Sequence, residues 1–295
     1  MQRILFRTGI CPPFDKSAMD GFACRREDLE NRLDIIGEIP AGIEYKGSIG
    51  QNQCVRIMTG AMVPAGADYV LMKEDAEEIE PGKILSTRKK AGENICYKGE
   101  DLKPGDIVIP KGTLIQPASI AMLASVGNVY PLVYRQPSVA VVSTGSELVE
   151  PWESPSSACI RNSNAYQLMA QLQTMNINAR YLGIVADNES KIEETLTGAI
   201  ESFDVVIISG GVSVGDFDFV PRILSKLGVK ALFHGMNVKP GKHLLFGRKG
   251  NCSVFGMPGN PVSSFVQFLL LVQPLILKLS GSTKRNNTAA HNFGN

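Results

Sequence analysis

The residues best suited to chemistry in this 295-residue chain lie between Ser209 and Lys242. An apolar run at 204–209 opens into GGVSVGDFD, and the next apolar run is followed by KPGK at 239–242. Gly210 and Gly211 free the backbone for a sharp turn. Ser213 offers a hydroxyl, Asp216 and Asp218 offer hard carboxylate oxygens, and Lys239 and Lys242 offer cationic donors. Carboxylates and lysines gathered in this way suit a phosphate and its divalent metal. Pro240 has a fixed φ and Gly241 a permissive one, so the turn between the two lysines can aim both ammonium groups the same way. A lone KPGK would be a solvated turn; its weight comes from its neighbours. Those are SAMDGFA (17–23), RIMTGAMVPAGADYVLMKED (56–75), GED (99–101), STGSEL (143–148) and MPGNPVSS (257–264).

The elements that would position these turns follow from periodicity. From residue 137 onward, β-branched apolar runs alternate with helical patterns. The spacing predicts strands at 138–143, 180–185, 204–209, 230–234, 243–246 and 253–255. Helices are expected at 164–175, 187–202 and 219–227, with Asn164 and Asp187 as N-caps and Gly228 as a stop. A last helix has Asn260 as cap and Pro261 at its first position. Such alternation implies an α/β fold with a doubly wound, mostly parallel sheet covered on both faces. Ligands bind such sheets at the carboxyl ends of the strands. STGSEL, Asp187, GGVSVGDFD and PGNP each follow a strand and so share one edge. Glu147, Asp187 and Asp218 become candidate metal ligands there. Asp187 reads equally well as a helix cap, and Asp216 as a turn residue facing solvent.

Residues 23–99 are rich in Gly, Pro and short alternating apolar pairs, which suits a small antiparallel β unit. Residues 105–115, with a short helix at 118–126 stopped by Gly127, form a second piece. The apolar stretch 265–279 is broken by Gln267, Gln273, Pro274 and Lys278 and falls short of the roughly 20 apolar residues of a membrane span. It reads as a buried helix. The N-terminus lacks the apolar core of a signal peptide, so the expected location is the cytoplasm, with no membrane partner. A net charge of +1 gives no case for nucleic acid. Six cysteines without a CxxC pair make neither a zinc site nor a disulfide framework and read as small buried hydrophobes in a reducing cytosol. His234, His243 and His291 have no second His at ligand spacing. Trp152 could stack on a ring, but loop packing is the expected role. There is neither GxGxxG nor GxxxxGK[ST], which argues against a dinucleotide dehydrogenase or a P-loop NTPase. Residues 282–295 are polar and aperiodic, a disordered tail by composition.

In their order and spacing, the six motifs resemble those of the molybdopterin molybdenumtransferases, the MoeA family that includes the E domain of gephyrin, over residues 11–281. The resemblance implies a molybdopterin-binding α/β domain (137–281). It would be preceded by an elongated segment (1–23 and 100–136) carrying an inserted small β domain (24–99). It further implies insertion of molybdate into adenylylated molybdopterin, with Mg²⁺-dependent release of AMP. By the same token it implies a homodimer and a molybdopterin adenylyltransferase as partner. Asp218 matches the family's metal and catalytic carboxylate most directly, and Asp20 matches an active-site carboxylate reached from the partner subunit. Lys239, Lys242 and Ser213 would hold molybdate. Thr59 and Gly60, Ser143, Thr144 and Gly145, Gly210 and Gly211, and Asn260 and Pro261 would line the pterin nucleotide.

Three positions depart from the family pattern. Ser146 stands where STGDEL has Asp, Cys96 where an Arg commonly precedes GED, and His243 where a Pro follows KPGK. The family's helical stretch before SAMDG and its C-terminal β domain have no counterpart in this sequence. The chain is then either a fragment or a shortened paralogue, and the alternative function is a non-catalytic molybdopterin-binding or scaffold protein.

Overall fold

A computed structural model describes residues 9–87, 92–212 and 219–282. Ser213, Asp216 and Asp218, and the tail beyond Ser282, lie outside the described residues. The chain divides into two compact units, 1–132 and 133–295.

The first unit is built on a six-stranded sheet. Its strands are Gly21–Cys24 (β1), Leu33–Ile39 (β2), Gln53–Ile57 (β3), Tyr69–Met72 (β4), Ala76–Glu80 (β5) and Lys83–Ser86 (β6), in the order β4-β1-β3-β2-β6-β5. All four residues of β1 are buried because β1 is flanked by β4 and β3 and covered on both faces. Phe22 and Cys24 join a core with Leu33, Tyr69 and Ile84, whereas Ala23 faces one made by Ile39, Val55, Ile57 and Val70. The expectation of a purely antiparallel unit is corrected: β2 pairs with β3 in parallel. The physical reason is the long connection 40–52, which carries the chain back to the start of the sheet as no tight hairpin can. Residues 117–125 form the short helix α1 (Pro117–Ser125), with Pro in its first turn.

The second unit is a doubly wound sheet. Val139–Thr144 (β7), Arg180–Val185 (β8), Val205–Ser209 (β9), Lys230–His234 (β10), Leu245–Lys249 (β11) and Cys252–Met257 (β12) lie in the order β8-β7-β9-β12-β11-β10. The neighbours β8, β7, β9 and β12 are parallel, and β11 is antiparallel to both β12 and β10. Five strands therefore share one direction, and β11 alone is reversed.

Each central strand is buried along its whole length, and alternate residues serve opposite faces. Val139, Val141, Val205, Ile207 and Phe255 pack against Leu168 and Leu172 of α2 (Asn164–Thr174), and against Phe268, Val272 and Ile276. Val142, Val206, Ile208 and Val254 pack against Ile192 and Leu196 of α3 (Glu189–Ser202), and Ile223 and Leu224 of α4 (Val220–Lys226). The run Pro261–Leu279 is long and apolar enough by composition to cross a membrane. It comprises α5 (Pro261–Gln267), a π-helical turn (Phe268–Val272) and α6 (Gln273–Leu279). Phe268, Val272 and Ile276 are buried in the sheet's own core, as a core helix requires.

Two caps differ from expectation. Helix α3 starts at Glu189, and its cap is Asn188, whose side chain accepts from Lys191 N at 3.1 Å. Asp187 stays behind on the strand side because its carboxylate is already bonded across to the β7 loop, as described below. Asn164 lies inside the first turn of α2, and its amide instead donates to Ser209 Oγ (3.0 Å) and Gly259 O (2.8 Å). Asn260 does cap α5, accepting from Ser263 N at 3.1 Å.

Asp204 anchors the entrance to the sheet. Its carboxylate accepts from Ser138 N and Oγ, both at 2.7 Å, and from Arg135 Nη2 at 2.8 Å. The Arg135 hydrogen bond, with the Ser138 donors, holds this carboxyl down at about 2. A depressed folded-state value stabilises the protein above the ordinary carboxylate value of about 4 and loses that effect as pH falls toward about 2. The unaltered chain should therefore exceed Asp204→Asn in urea midpoint, read by far-UV circular dichroism, near neutral pH. The two midpoints should converge across that acid window, and parallel curves would reject the clamp.

Candidate functional site

The reversal of strand order between β7 and β9 creates a crevice at their carboxyl ends, where open α/β sheets bind ligands. Thr144 ends β7, and the Gly210–Gly211 turn leaves β9 directly against it. A Cβ on Gly210 (φ +95°) would lie 2.3 Å from Thr144 O. One on Gly211 (φ +66°) would lie 2.8 Å from Thr144 Oγ1 and 3.0 Å from Val220 Cγ2. Only glycine permits this approach. Gly210 N also donates to Met257 O at 3.0 Å, tying the turn to the end of β12. Thr144 Oγ1 is buried and has no hydrogen-bond partner among the described residues. Such an orphaned hydroxyl at a strand-end crevice is a natural contact for a bound polar molecule.

Next to it, the STGSEL turn folds on itself. Gly145 (φ +146°) donates to Val185 O at 3.2 Å, and a Cβ there would fall 2.6 Å from Glu147 Oε2. The Glu147 carboxylate therefore lies over the Gly145 backbone. Ser146 N donates to Asp187 Oδ2 (2.9 Å), and Asp187 N donates to Ser146 Oγ (3.0 Å). Glu147 and Asp187 thus sit on adjacent strand-end loops, as two hard oxygen donors. Among the described residues, no three His, Cys, Asp or Glu side chains come together as a metal cluster.

The turn carrying Lys239 and Lys242 leaves β10, which runs in the same direction as β7, β9 and β12, so it reaches the same edge. Both lysine side chains are exposed. The base of the turn is closed by Gly235 N to Leu244 O (2.6 Å) and Met236 N to Lys242 O (2.8 Å). Asn260 and Pro261 lie on the same edge. The Asn260 side-chain oxygen is taken up by its cap, and Pro261 O accepts from Gln167 Nε2 at 3.1 Å.

Behind Ser143 lies a polar network that motif reading missed. Asn162 Nδ2 donates to Ser143 Oγ (3.0 Å) and Tyr181 OH (2.8 Å). Tyr181 OH donates to Glu150 Oε1 (2.8 Å), and Tyr166 OH to Glu150 Oε2 (2.9 Å). Burial, and then the Glu150 hydrogen bond, push the Tyr181 hydroxyl well above the ordinary phenol range. The partners come from separate elements, with no spacing to mark them. Packing of Trp152 into its loop is also corrected, since its side chain is 75% exposed. It rides at the tip of a turn closed by Glu153 N to Glu150 O (3.0 Å) and Glu150 N to Glu153 Oε2 (2.8 Å).

In the first unit, SAMDG and TGA form one cluster. Thr59 N and Oγ1 both donate to Asp20 Oδ1 at 2.7 Å, and these bonds lower the Asp20 carboxyl below its ordinary value. Gly60 (φ +81°) donates to Ser17 O at 2.8 Å, and no atom lies within 4 Å of where a Cβ would be. Cys96 pairs with Lys16 in a two-residue antiparallel bridge beside this cluster. Cys24, Cys54 and Cys252 are buried, while Cys11, Cys96 and Cys159 are partly exposed; all six are free thiols.

The family model for the MoeA N-terminal region (domain I and II) matches residues 9–127, and the "Probable molybdopterin binding domain" model matches 140–278. The molybdopterin molybdenumtransferase of Haemophilus influenzae is 42% identical over 273 residues, which is 92% of this chain and 67% of that one. The Bacillus subtilis protein of the same name is 39% identical over 276 residues, 90% of this chain and 64% of that one. The chain thus spans about two thirds of the length of these curated relatives. The crystal structure of the molybdopterin biosynthesis MoeA protein from Pyrococcus horikoshii OT3 superposes with a TM-score of 0.76 at 33% identity, covering 96% of this chain and 71% of that one.

The Thr144 contact makes Gly210 the most exacting position of the edge. Gly210→Ala should lower stability by about 1–3 kcal/mol from backbone strain alone, and by more if Thr144 cannot retreat. Gly250→Ala, also at positive φ (+56°) but with open space around the added methyl, should show the strain without the clash. Equal losses of urea midpoint in the two variants would refute the close-approach argument.

Proposed function

This chain belongs to the molybdopterin molybdenumtransferase family, and from that premise we propose that it inserts molybdate into adenylylated molybdopterin with Mg²⁺-dependent release of AMP. The single observation that carries this reading is the convergence of strand ends. Thr144 with its orphaned hydroxyl, the Gly210–Gly211 turn, the adjoining loops of Glu147 and Asp187 and the Lys239–Lys242 turn all lie on one edge of one sheet. Lysine ammonium groups suit a tetrahedral oxyanion, and the glycine turns let a pterin or phosphate come close to the backbone.

Ser143, Thr144, Gly145, Gly210 and Gly211 would line the pterin nucleotide, and Lys239, Lys242 and Ser213 the molybdate. Glu147 and Asp187 would give the metal two carboxylates, and Asp218 follows β9 in sequence. Mg²⁺ takes one or two carboxylates and completes its shell with phosphate and water; bound here, it would neutralise the phosphoanhydride. The Asp20–Thr59–Gly60 cluster of the first unit would serve the nucleotide, with Asp20 reaching the site of a partner subunit in a homodimer formed through 1–23 and 100–136. The molybdopterin adenylyltransferase that makes the substrate would be the natural partner, in the cytoplasm.

The test is turnover by the purified chain with adenylylated molybdopterin, Mg²⁺ and molybdate, following AMP release and molybdenum incorporation together. Both should occur. Lys239→Ala should lower both by on the order of 10²-fold, the usual cost of removing one electrostatic donor, with an unchanged urea midpoint because the side chain is exposed. Asp218→Asn should abolish metal-dependent turnover. Pterin binding without AMP release would replace this reading with a non-catalytic binding or scaffold protein, and undiminished turnover in Lys239→Ala would remove the oxyanion role.

A further inference from the structure

One buried side chain behind the lysine turn has no role in the motifs above. Gln267 is fully buried, and its carboxamide nitrogen donates to two backbone carbonyls of the turn, Gly241 O at 2.6 Å and His243 O at 3.1 Å. A carboxamide has two N–H donors, and both are used. The reverse orientation would put oxygen against oxygen, so the network itself fixes which way the group points. Gly241 is matched to this donor: at φ +110° it has left-handed backbone, and a Cβ there would sit 2.9 Å from Gln267 Nε2.

Helix geometry holds Gln267 in place. Ser264, Phe268, Val272 and Ile276 are all buried, a stripe at a constant spacing of four. On a straight α-helix such a stripe rotates by about 40° per step. The π-helical turn at Phe268–Val272 widens the helix in the middle of the stripe and keeps it on the core. Gln267, one residue before that turn, is thereby locked facing the carbonyls of 241 and 243.

We propose that Gln267 is a positioning residue for oxyanion binding. It clamps the backbone between Lys239 and His243 and so sets where the two ammonium groups stand. The inference rests on the reading that this turn receives molybdate. A hydroxyl-bearing or apolar side chain at 267 would leave at least one of the two carbonyls without its donor. With an apolar side chain both carbonyls lose their donor, and among the described residues the turn keeps its two base bonds, at Gly235 and Met236.

The experiment uses the full chain and two variants, Gln267→Leu and Gln267→Glu, with two readouts. The first is hydrogen exchange at the amides of Gly235 and Met236, which needs no ligand. The second is molybdate affinity and the molybdate KM, measured against the KM for the pterin nucleotide. In Gln267→Leu both amides should exchange faster, and molybdate affinity should fall on the order of tenfold, as when buried acceptors lose a donor. The pterin KM should hold. A carboxylate at 267 facing two carbonyl oxygens has a raised pKa, and its protonated form donates one hydrogen. Molybdate affinity of Gln267→Glu should therefore recover as pH falls from about 8 toward about 6, whereas the Leu variant stays low at both. A side chain that merely fills space would give no such recovery. Unchanged exchange in Gln267→Leu, or equal rises in both KM values, would overturn the clamp. An unaltered chain that fails to bind molybdate would instead reject the oxyanion reading, with the exchange data still deciding whether Gln267 clamps the turn.

Discussion

The edge of the second unit depends on how closely the chain leaving β9 can pass the end of β7. At Gly210 the gap to the Thr144 carbonyl is too small for any side chain. That contact pins two neighbouring strand ends at the place where the sheet changes direction. Met257 O holds the same turn from the β12 side. The crevice is therefore formed by backbone, on strands whose side chains are already committed to the two cores. Its shape is insensitive to side-chain rotamers, as suits a site that must present donors without rearrangement.

Around this fixed backbone, polar side chains orient the loops and leave the outward groups available. Asn188 takes over the cap of α3, which frees Asp187 to bond Ser146 from both its backbone and its carboxylate. Asn164 ties the end of β9 to Gly259, and Asn162 ties Ser143 to Tyr181. Amide side chains at the starts of α2 and α3 thus tie the strand-end loops, while the leucines along these helices fill the two cores. In the first unit, Thr59 does the same for Asp20, with its backbone and hydroxyl converging on one oxygen.

The alternation of strands and helices after residue 137 was legible because fully buried parallel strands leave a near-continuous apolar signal. So was the common edge, since it follows from strand direction alone. Three things were not legible. Whether Asp187 or Asn188 caps α3 depends on which carboxylate has a partner across the sheet, a tertiary fact that two adjacent cap-forming residues hide. The parallel β2–β3 pair was hidden by a Gly- and Pro-rich connection that reads like a series of hairpins. Gln267 looked like an interruption in an apolar run, because only the fold reveals two carbonyls opposite it. In each case a local rule gave way to a partner distant in sequence.

The turn that carries Trp152 bears on how this protein can be watched. It holds the only indole in the chain, standing in solvent at the tip of a hydrogen-bonded corner. An indole so exposed should emit much as it would in an unfolded chain, before any denaturant is added. Fluorescence will therefore be nearly blind to the loss of either unit's core, yet sensitive to anything that settles on that corner. The same exposure that makes the ring a poor witness to folding makes it a native optical probe of contacts made at this end of the sheet.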